Sequence, residues 1–379
     1  MDFDFSDDQT QLRDAVKRWA DKSYSFARRS ASVQAGGDSR EVWAELAGLG
    51  LTALAVPENQ GGLGWGAVEA MIVMEELGRA LLVEPYAAVC LVAPQILAAS
   101  THPSAARWLQ GIADGSERVA LALQERGARY QLAHVSSRAE RAGDDWVITG
   151  RKSLVPAGAE LGAYLVPARV SGADNDPAGI GLFLVHAGQA SVNARGHSLQ
   201  DGSAAAELTL SAASASELLP PGAAFAVLEL AQDVGIAALC AEAVGAMEQL
   251  LALTADYLNT RKQFGVPIAS FQALRHRIAD MKMQLELARS MSYYATLKLA
   301  EPAPQRRRAL SQAKVQLGNS LRFVGQQAIQ LHGGIGMTIE YSAPHYFKRL
   351  TCIELSLGDT LHHLGEVSAR MQDTAGVFA

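Results

Sequence analysis

The stretch RKQFGVPIASFQ, at residues 261–272, is the most informative part of the chain. It leads from the end of a long helical pattern, through a turn that contains glycine and proline, into the next helix. Arg261 and Gln263 lie where their side chains can point out of the end of a helical bundle, and the guanidinium fork of arginine suits a pyrophosphate. Basic residues at the end of a helix also face the negative end of its dipole. The spacing by itself supports both interpretations.

A second stretch rich in glycine, QLHGGIGMT at residues 330–338, ends another long helical pattern. Its paired glycines, Gly333 and Gly334, allow backbone amides to approach a ligand closely, and Gln330 can form a hydrogen bond with one. The alternative is a glycine that caps the C-terminus of a helix. Both interpretations remain open at this point.

The spacing of apolar residues divides the rest of the chain into three parts. Helical spacing extends from residue 6 to about residue 111, and short apolar runs separated by turns follow up to residue 219. Helical spacing then returns in four long runs, at residues 223–259, 271–299, 305–331 and 346–371. The sequence therefore predicts an α+β protein with an N-terminal helical domain at residues 1–116, a middle β-barrel at 117–220 and a C-terminal four-helix bundle at 221–379.

Composition excludes several classes of protein. Hydrophobic residues make up 49% of the 379 residues and charged residues 19%, as in folded globular proteins. The net charge of -6 and the lack of a basic stripe argue against a nucleic-acid-binding protein. The three cysteines, Cys90, Cys240 and Cys352, have no CxxC spacing, which argues against a structural zinc site and favours a reducing cytoplasm. The most apolar stretch, residues 80–99, is interrupted by glutamate and prolines, so we expect buried helices there and no membrane span.

The order and separation of the motifs resemble the acyl-CoA dehydrogenase superfamily. The C-terminal motifs of that family are R-x-[QTA]-F-G-x-x-[IL]-x-x-[FH]-Q, A-[DE]-M and Q-x-x-G-G-x-G. They match residues 261–272, 279–281 and 330–336. The stretches VPE, EELG and WVITGRK, at residues 56–58, 75–78 and 146–152, agree with the N-terminal and middle parts of the family. The resemblance covers almost the whole chain.

This resemblance implies an FAD-dependent enzyme of fatty acid metabolism that dehydrogenates an acyl-CoA between its α and β carbons. It implies dimers or tetramers with FAD across a subunit boundary, and electron-transfer flavoprotein as the electron acceptor. By position, Arg261, Gln263 and Phe264 serve the FAD of a neighbouring subunit. The other expected FAD contacts are Gln330, Gly333, Gly334, Gln272 and Thr360.

The chain departs from the family at the catalytic base, which must lie within about 3 Å of the proton that it removes, or one water away. The two positions at which the family places a glutamate are Gly358 and Gly235 here. Three interpretations follow: Asp359 acts as the base, Asp233 does so, or a different subunit supplies it. The ending Gly-Asp-x-x-His-His-Leu resembles the small subunits of heteromeric acyl-CoA dehydrogenases, of the pimeloyl-CoA dehydrogenase type, and supports the third.

Other departures concern the middle domain and a histidine pair. The family places a T-E-x-x-x-G-S-D run beside the flavin and the acyl chain, whereas residues 124–130 read QERGARY. Arg126 and Arg129 either face an acidic acyl tail or are simply exposed. For His362 and His363 we predict a helix-terminal or interface role rather than a metal site, because adjacent helical residues point about 100° apart.

We therefore expect an acyl-CoA dehydrogenase that acts alone, as a homodimer or tetramer, or in a heteromer with a catalytic acyl-CoA dehydrogenase subunit. Two alternatives remain from the sequence. One is a non-catalytic FAD-binding partner subunit, and the other is a flavin oxidase or monooxygenase on the same fold, which needs no base for the α proton.

Overall fold

The computed structural model describes residues 4–143 and 145–371, and the predicted outer domain limits at residues 1 and 379 lie outside this part. By contacts between residues, the chain forms two compact units. Unit 1 contains Met1–Ser30, Ala67–Leu82 and Ile236–Ala379, whereas unit 2 contains Ala31–Gly66 and Val83–Gly235. Both units therefore draw on the predicted N-terminal domain, and the predicted three-domain boundaries stay a prediction.

The N-terminal part is helical, as predicted. Helix α1 begins after Ser6, whose side chain accepts a hydrogen bond from the backbone amide of Gln9 in a capping box. The helices of this part are α1 (Asp7–Ser23), α2 (Phe26–Gln34), α3 (Arg40–Gly48), α4 (Ala67–Arg79), α5 (Ala93–Ala98) and α6 (Pro103–Ala113).

Unit 2 contains a closed β-barrel. Its strands are β1 (Val119–Leu121), β2 (Arg138–Ala142), β3 (Asp145–Pro156), β4 (Ala163–Arg169), β5 (Ile180–His186), β6 (Val192–Ser198) and β7 (Ala204–Leu219). The order β4-β2-β3-β7-β5 closes into a ring because β5 also pairs with β4. Strands β4 and β5 are buried along almost their whole length, which explains their continuous apolar runs. The predicted barrel is confirmed.

The C-terminal part is helical again, with one difference from the prediction. Its helices are α7 (Ala224–Thr260), α8 (Gln272–Lys298), α9 (Ala303–His332), α10 (Ala343–Leu355) and α11 (Thr360–Met371). The run predicted as one helix at 346–371 is therefore two helices. The chain breaks between them because Leu357 and Gly358 have φ angles of +55° and +111°, which no helix accommodates.

Two glycines allow helices α4 and α7 to pack in backbone contact within unit 1. An added Cβ at Gly245 would lie 1.8 Å from the carbonyl oxygen of Glu75, and one at Gly78 would lie 2.1 Å from that of Glu242. Helix α7 is long and apolar enough to cross a membrane by length and composition, but 61% of its most apolar window is buried. Core helices of folded domains can have the same length and apolar composition.

Candidate functional site

The motif at residues 261–267 forms a small β-hairpin after helix α7. Strand β8 (Lys262–Gln263) pairs with β9 (Val266–Pro267), and Phe264 and Gly265 form the two-residue turn. Their φ angles are +54° and +82°, as a type I′ turn requires. Glycine adopts this geometry without strain, whereas phenylalanine does not.

Phe264 is exposed in spite of its size. Its exposed fraction is 91%, the largest among the exposed large hydrophobic residues described, and its one ring contact is an edge-to-face contact with Phe271, with centroids 6.1 Å apart. A strained and exposed aromatic side chain contributes little to the stability of its own chain. It therefore fits a surface that is completed by another molecule.

Contacts among three rings bring the two glycine-containing motifs to one end of the bundle in unit 1. The His332 ring contacts those of Tyr257 and Tyr341, with centroid distances of 4.8 Å and 5.1 Å. Tyr257 lies in the last turn of α7, before the hairpin, and His332 is the last residue of α9, before Gly333. The ends of two helices that are distant in sequence thus adjoin.

Different physical reasons account for the presence of glycine at the three positions after α9, Gly333, Gly334 and Gly336. Gly333 has φ +60° and ψ -135°, a conformation that in practice only glycine adopts. A side chain at Gly336 would approach the carbonyl oxygen of Ile329 to 2.9 Å, so packing within the chain explains that glycine. Gly334 has neither constraint, since nothing lies within 4 Å of an added Cβ. An approach by a molecule from outside the chain would account for it.

The polar side chains around this end fit a dinucleotide with a pyrophosphate. Arg261, Gln263, Gln272 and Gln330 are all exposed. Within residues 4–143 and 145–371, the Arg261 guanidinium and the Gln263 amide have no hydrogen bond or ion pair with another side chain. A free guanidinium, free amides and backbone open at Gly334 are the donors that phosphate and adenosine groups need. This combination of donors suits a dinucleotide cofactor such as the predicted FAD.

Thr360 is placed differently from the other predicted FAD residues. It is 9% exposed, and its hydroxyl and amide both donate to the Oε1 atom of Glu354, at 2.7 Å and 3.1 Å. Arg322 also donates to that oxygen, at 3.0 Å. The Thr360 hydroxyl is therefore directed into the chain, next to Gly318 of α9.

Asp359, the predicted candidate for the base, caps a helix. Its Oδ1 atom accepts a hydrogen bond of 2.8 Å from the backbone amide of His362, in the first turn of α11. This is the usual interaction of an N-terminal cap with a free helix amide. The carboxylate therefore has a structural function that explains its presence.

The family position of the glutamate, Gly358, has no room for a side chain. A Cβ built there would lie 2.4 Å from Nε2 of His363 and 2.6 Å from Cδ2 of His362. The two nitrogens of His363 already contact Ser311 Oγ at 3.2 Å and the Leu357 carbonyl oxygen at 3.0 Å. His363 thus has a packing role.

In the described part of the chain, no group of three or more histidine, cysteine, aspartate or glutamate residues is suited to bind a metal.

At the second family position, the structure gives no replacement for the glutamate. Gly235 is buried on helix α7, and Asp233 is 2% exposed in unit 2. Two residues along a helix correspond to a rotation of about 200°, so these two positions face different directions.

In the barrel, the glutamate of the QERGARY run is part of the core. Glu125 accepts a 2.7 Å hydrogen bond from the buried Lys152 ammonium and further bonds from Ser136 and Ser137. Burial would raise the pKa of Glu125, but the attraction of Lys152 and these hydrogen bonds outweigh it and lower the pKa to about 2. Glu125 is therefore an ionised structural group.

The arginines of the same run lie at the surface of unit 2. The Arg126 side chain is 81% exposed and forms an ion pair with Glu207 at 3.3 Å. Arg129 is also exposed and has φ +49°. The described contacts favour the simpler of the two interpretations, in which these arginines are exposed surface residues.

Sequence reasoning missed one residue that organises the segment after α10. The Lys314 ammonium, in α9, is buried and donates to the carbonyl oxygens of Ile353, Glu354 and Ser356 at 2.7, 3.2 and 2.8 Å. Burial lowers the pKa of Lys314 to about 8. A lysine on the core-facing side of an apolar helical pattern was the available signal.

Comparison with known proteins gives the family. The acyl-CoA dehydrogenase N-terminal domain matches residues 6–116, and the acyl-CoA dehydrogenase C-terminal domain matches residues 225–372. Acyl-CoA dehydrogenase FadE12 of Mycobacterium tuberculosis is 30% identical over 367 residues, which cover 89% of this chain and 88% of the relative.

Two solved structures extend the similarity to nearly the whole chain. A variant of the Tcur3481-Tcur3483 steroid ACAD has 30% identity and a TM-score of 0.87, over 97% of this chain and 99% of the other. The ChsE4-ChsE5 complex from Mycobacterium tuberculosis has 25% identity and a TM-score of 0.89, over 98% and 99% of the two chains. The chain therefore belongs to the acyl-CoA dehydrogenase family, and this membership supports the predicted cofactor, FAD.

Proposed function

We propose that this chain is an FAD-binding subunit of an acyl-CoA dehydrogenase and that a second, related chain supplies the catalytic base. The reaction removes the α proton of an acyl-CoA thioester to a carboxylate, while the β hydrogen leaves with its electron pair as hydride. Bound FAD supplies the hydride acceptor. The observation that carries the proposal is the packing at Gly358, where a Cβ would lie 2.4 Å from the His363 ring.

The carboxylates near the family positions support a base from elsewhere. Asp359 caps helix α11 through the His362 amide, and Asp233 is buried and turned about 200° from the family position at Gly235. A base must reach the α proton within about 3 Å, or through one water, so both carboxylates are poorly placed for this role.

What this chain contributes is cofactor binding. In this proposal, Arg261 and Gln263 bind phosphate and ribose groups of FAD, and Phe264 packs against the neighbouring subunit. The backbone at Gly333 and Gly334, with Gln330 and Gln272, completes the site. These assignments are supported by exposure and by the lack of partners for Arg261 and Gln263 within the described residues.

Two further points belong to the same proposal. The partner is a catalytic acyl-CoA dehydrogenase subunit, as in the pimeloyl-CoA dehydrogenase type, and the ChsE4-ChsE5 complex, which contains a chain similar to this one, supports such an assembly. We also propose the cytoplasm as location and electron-transfer flavoprotein as electron acceptor. Within the described residues, Cys90, Cys240 and Cys352 form no disulfide, which fits a reducing compartment.

An anaerobic titration tests the proposal. The chain is purified alone, its flavin spectrum is recorded, and saturated acyl-CoAs are added while the absorbance near 450 nm is followed. We expect no bleaching from the chain alone with bound FAD, and bleaching once a co-purified acyl-CoA dehydrogenase subunit is added. Bleaching by the chain alone would refute the need for a partner. Rapid oxygen consumption by the reduced flavin would instead support a flavin oxidase.

A further inference from the structure

The ring of His363 lies next to Gly358, and its role goes beyond the absence of the family glutamate at that position. Leu357 and Gly358 are consecutive residues with positive φ, +55° and +111°, between helices α10 and α11. Leucine in this region is strained by about 1 kcal/mol or more. A conformation of this kind persists only where neighbouring groups hold it, and His363 is such a group.

The hydrogen bonds of His363 define its protonation. The carbonyl oxygen of Leu357 is only an acceptor, so the Nε2 atom at 3.0 Å must carry the proton. The Nδ1 atom is then an acceptor for the Ser311 hydroxyl, at 3.2 Å. Burial, with the nearby Lys314 and His362, lowers the pKa of His363 to about 3, which keeps the ring neutral in this tautomer.

The same ring occupies the space into which a side chain at position 358 would point. His363 is 3% exposed and lies on helix α11, so the ring cannot turn to solvent without loss of both hydrogen bonds. A Cβ at position 358 would meet its Nε2 atom at 2.4 Å and its Cδ2 atom at 2.9 Å. Contacts below 3.0 Å require that one of the two groups move.

We infer that His363 is a positioning residue: its imidazole fixes the turn at residues 357–359 in a conformation that excludes any side chain at position 358. The inference deepens the proposed function, on which it rests, because the lack of a base is then built into the packing of α11. A glutamate introduced at position 358 alone would not recover the family arrangement.

A double-mutant cycle tests this inference. Gly358→Ala, His363→Ala and the double variant are compared by the midpoint of urea unfolding. We expect Gly358→Ala to lower the midpoint strongly in the unmodified chain and clearly less in the His363→Ala background, because the closest contact has been removed. Equal shifts in both backgrounds would overturn the inference.

Gly36→Ala is the matched control for backbone strain. Gly36 has φ +110°, nearly that of Gly358, but nothing lies within 4 Å of an added Cβ. We expect this variant to lower the midpoint less than Gly358→Ala does, and by the same amount with or without His363. A shift as large as that of Gly358→Ala would attribute the whole effect to strain and contradict the inference.

A second measurement needs no substitution at Gly358. Selective ¹⁵N labelling of histidine, with the His363 signal assigned from its loss in His363→Ala, reports the tautomer directly. We expect a proton on Nε2 that persists unchanged between pH 5 and 8, and we expect His363→Gln, which retains a donor, to keep more stability than His363→Ala. A ring protonated on Nδ1, or one that titrates in this range, would refute the role. The flavin titration above remains decisive for the proposed function in either case.

Discussion

The Lys314 ammonium lies 2.7 Å from the carbonyl oxygen of Ile353, so helix α9 satisfies the free carbonyl end of α10. Together with the carbonyls of Glu354 and Ser356, this contact ends α10 and orients the segment that leads to Gly358. A buried cation takes the place that water or a glycine cap holds in most helices.

Lys314→Met is predicted to destabilise the chain. Loss of the ammonium removes a donor from three carbonyls, of which that of Ile353 keeps the Ser356 amide at 3.2 Å, at a cost of about 1–3 kcal/mol in the free energy of unfolding. Lys282→Met is the matched control, because the Lys282 side chain is 56% exposed in an ion pair with Glu286. Its effect should stay within about 0.5 kcal/mol. Urea unfolding of both variants measures the difference, and equal losses would contradict the role of Lys314.

The same lysine predicts a dependence of stability on pH. Its pKa is about 8 in the folded chain and 10.5 in the unfolded chain. The unfolded chain thus binds more protons between these values, so stability rises as pH increases from 8 towards 10. Lys314→Met should lose this slope. An unchanged slope in the variant would mean that another titrating group causes the dependence of stability on pH.

Asp359→Ala and Asp359→Asn separate a cap from a catalytic base. Asparagine is a good N-terminal cap, so Asp359→Asn should leave the unfolding midpoint almost unchanged, whereas Asp359→Ala should cost about 1 kcal/mol. Neither change should affect acyl-CoA-dependent bleaching of the assembled enzyme. Loss of bleaching in Asp359→Asn, with its stability retained, would identify Asp359 as the base.

The buried pair of Glu125 and Lys152 predicts acid sensitivity in unit 2. The pKa of Glu125 is lowered to about 2 from 4.5, so its contribution to stability is complete above pH 4.5 and is lost as pH falls towards 2. Glu125→Gln should flatten the stability profile in this range. Lys152→Met should cost about 3–5 kcal/mol, because it leaves a buried carboxylate unpaired. Unfolding followed by circular dichroism at several pH values tests both, and the pair of Arg126 and Glu207, whose arginine is 81% exposed, provides the control.

Arg261→Ala is predicted to weaken FAD binding about tenfold or more, because a charge-assisted hydrogen bond contributes about 1.5–3 kcal/mol. Lys262→Ala is the matched control, since it removes the same charge from the neighbouring residue, which is not among the predicted FAD contacts. Its effect on the dissociation constant should be small. Titration of the apoprotein with FAD, followed by flavin fluorescence, measures both constants, and equal losses would show that only net charge matters.

Phe264→Gly should separate stability from assembly. Glycine relieves the φ of +54°, so the free energy of unfolding of the chain alone should stay the same or rise by no more than about 1 kcal/mol. The variant lacks the exposed ring at the surface that contacts a neighbouring subunit, so the protein should retain less FAD and form fewer oligomers. Light scattering and the flavin content of the purified protein test this. A destabilised chain with intact assembly would contradict the proposed role of Phe264.

Part of the fold could be predicted from the sequence because the patterns that indicate it lie within short stretches of the chain. The capping box at Ser6, the periodicity of α7, α8 and α9, and the apolar runs of β4 and β5 each lie within a short stretch. Strands β2 and β6 escaped prediction because most of their residues are exposed and their apolar content is low. Their pairing partners, distant in sequence, make them strands.

The sequence by itself determined the family and the α+β architecture, and it predicts the residues of the FAD site, because motifs of fixed spacing carry that information. Only the tertiary structure decided the conformation of the segment after α10. Lys314 and His363 come from helices that the chain folds together, and their contacts with the backbone at residues 353–357 accompany the break in the predicted helix. Ser311 of α9 holds the His363 ring. That packing, and no local pattern, leaves position 358 without space for a carboxylate.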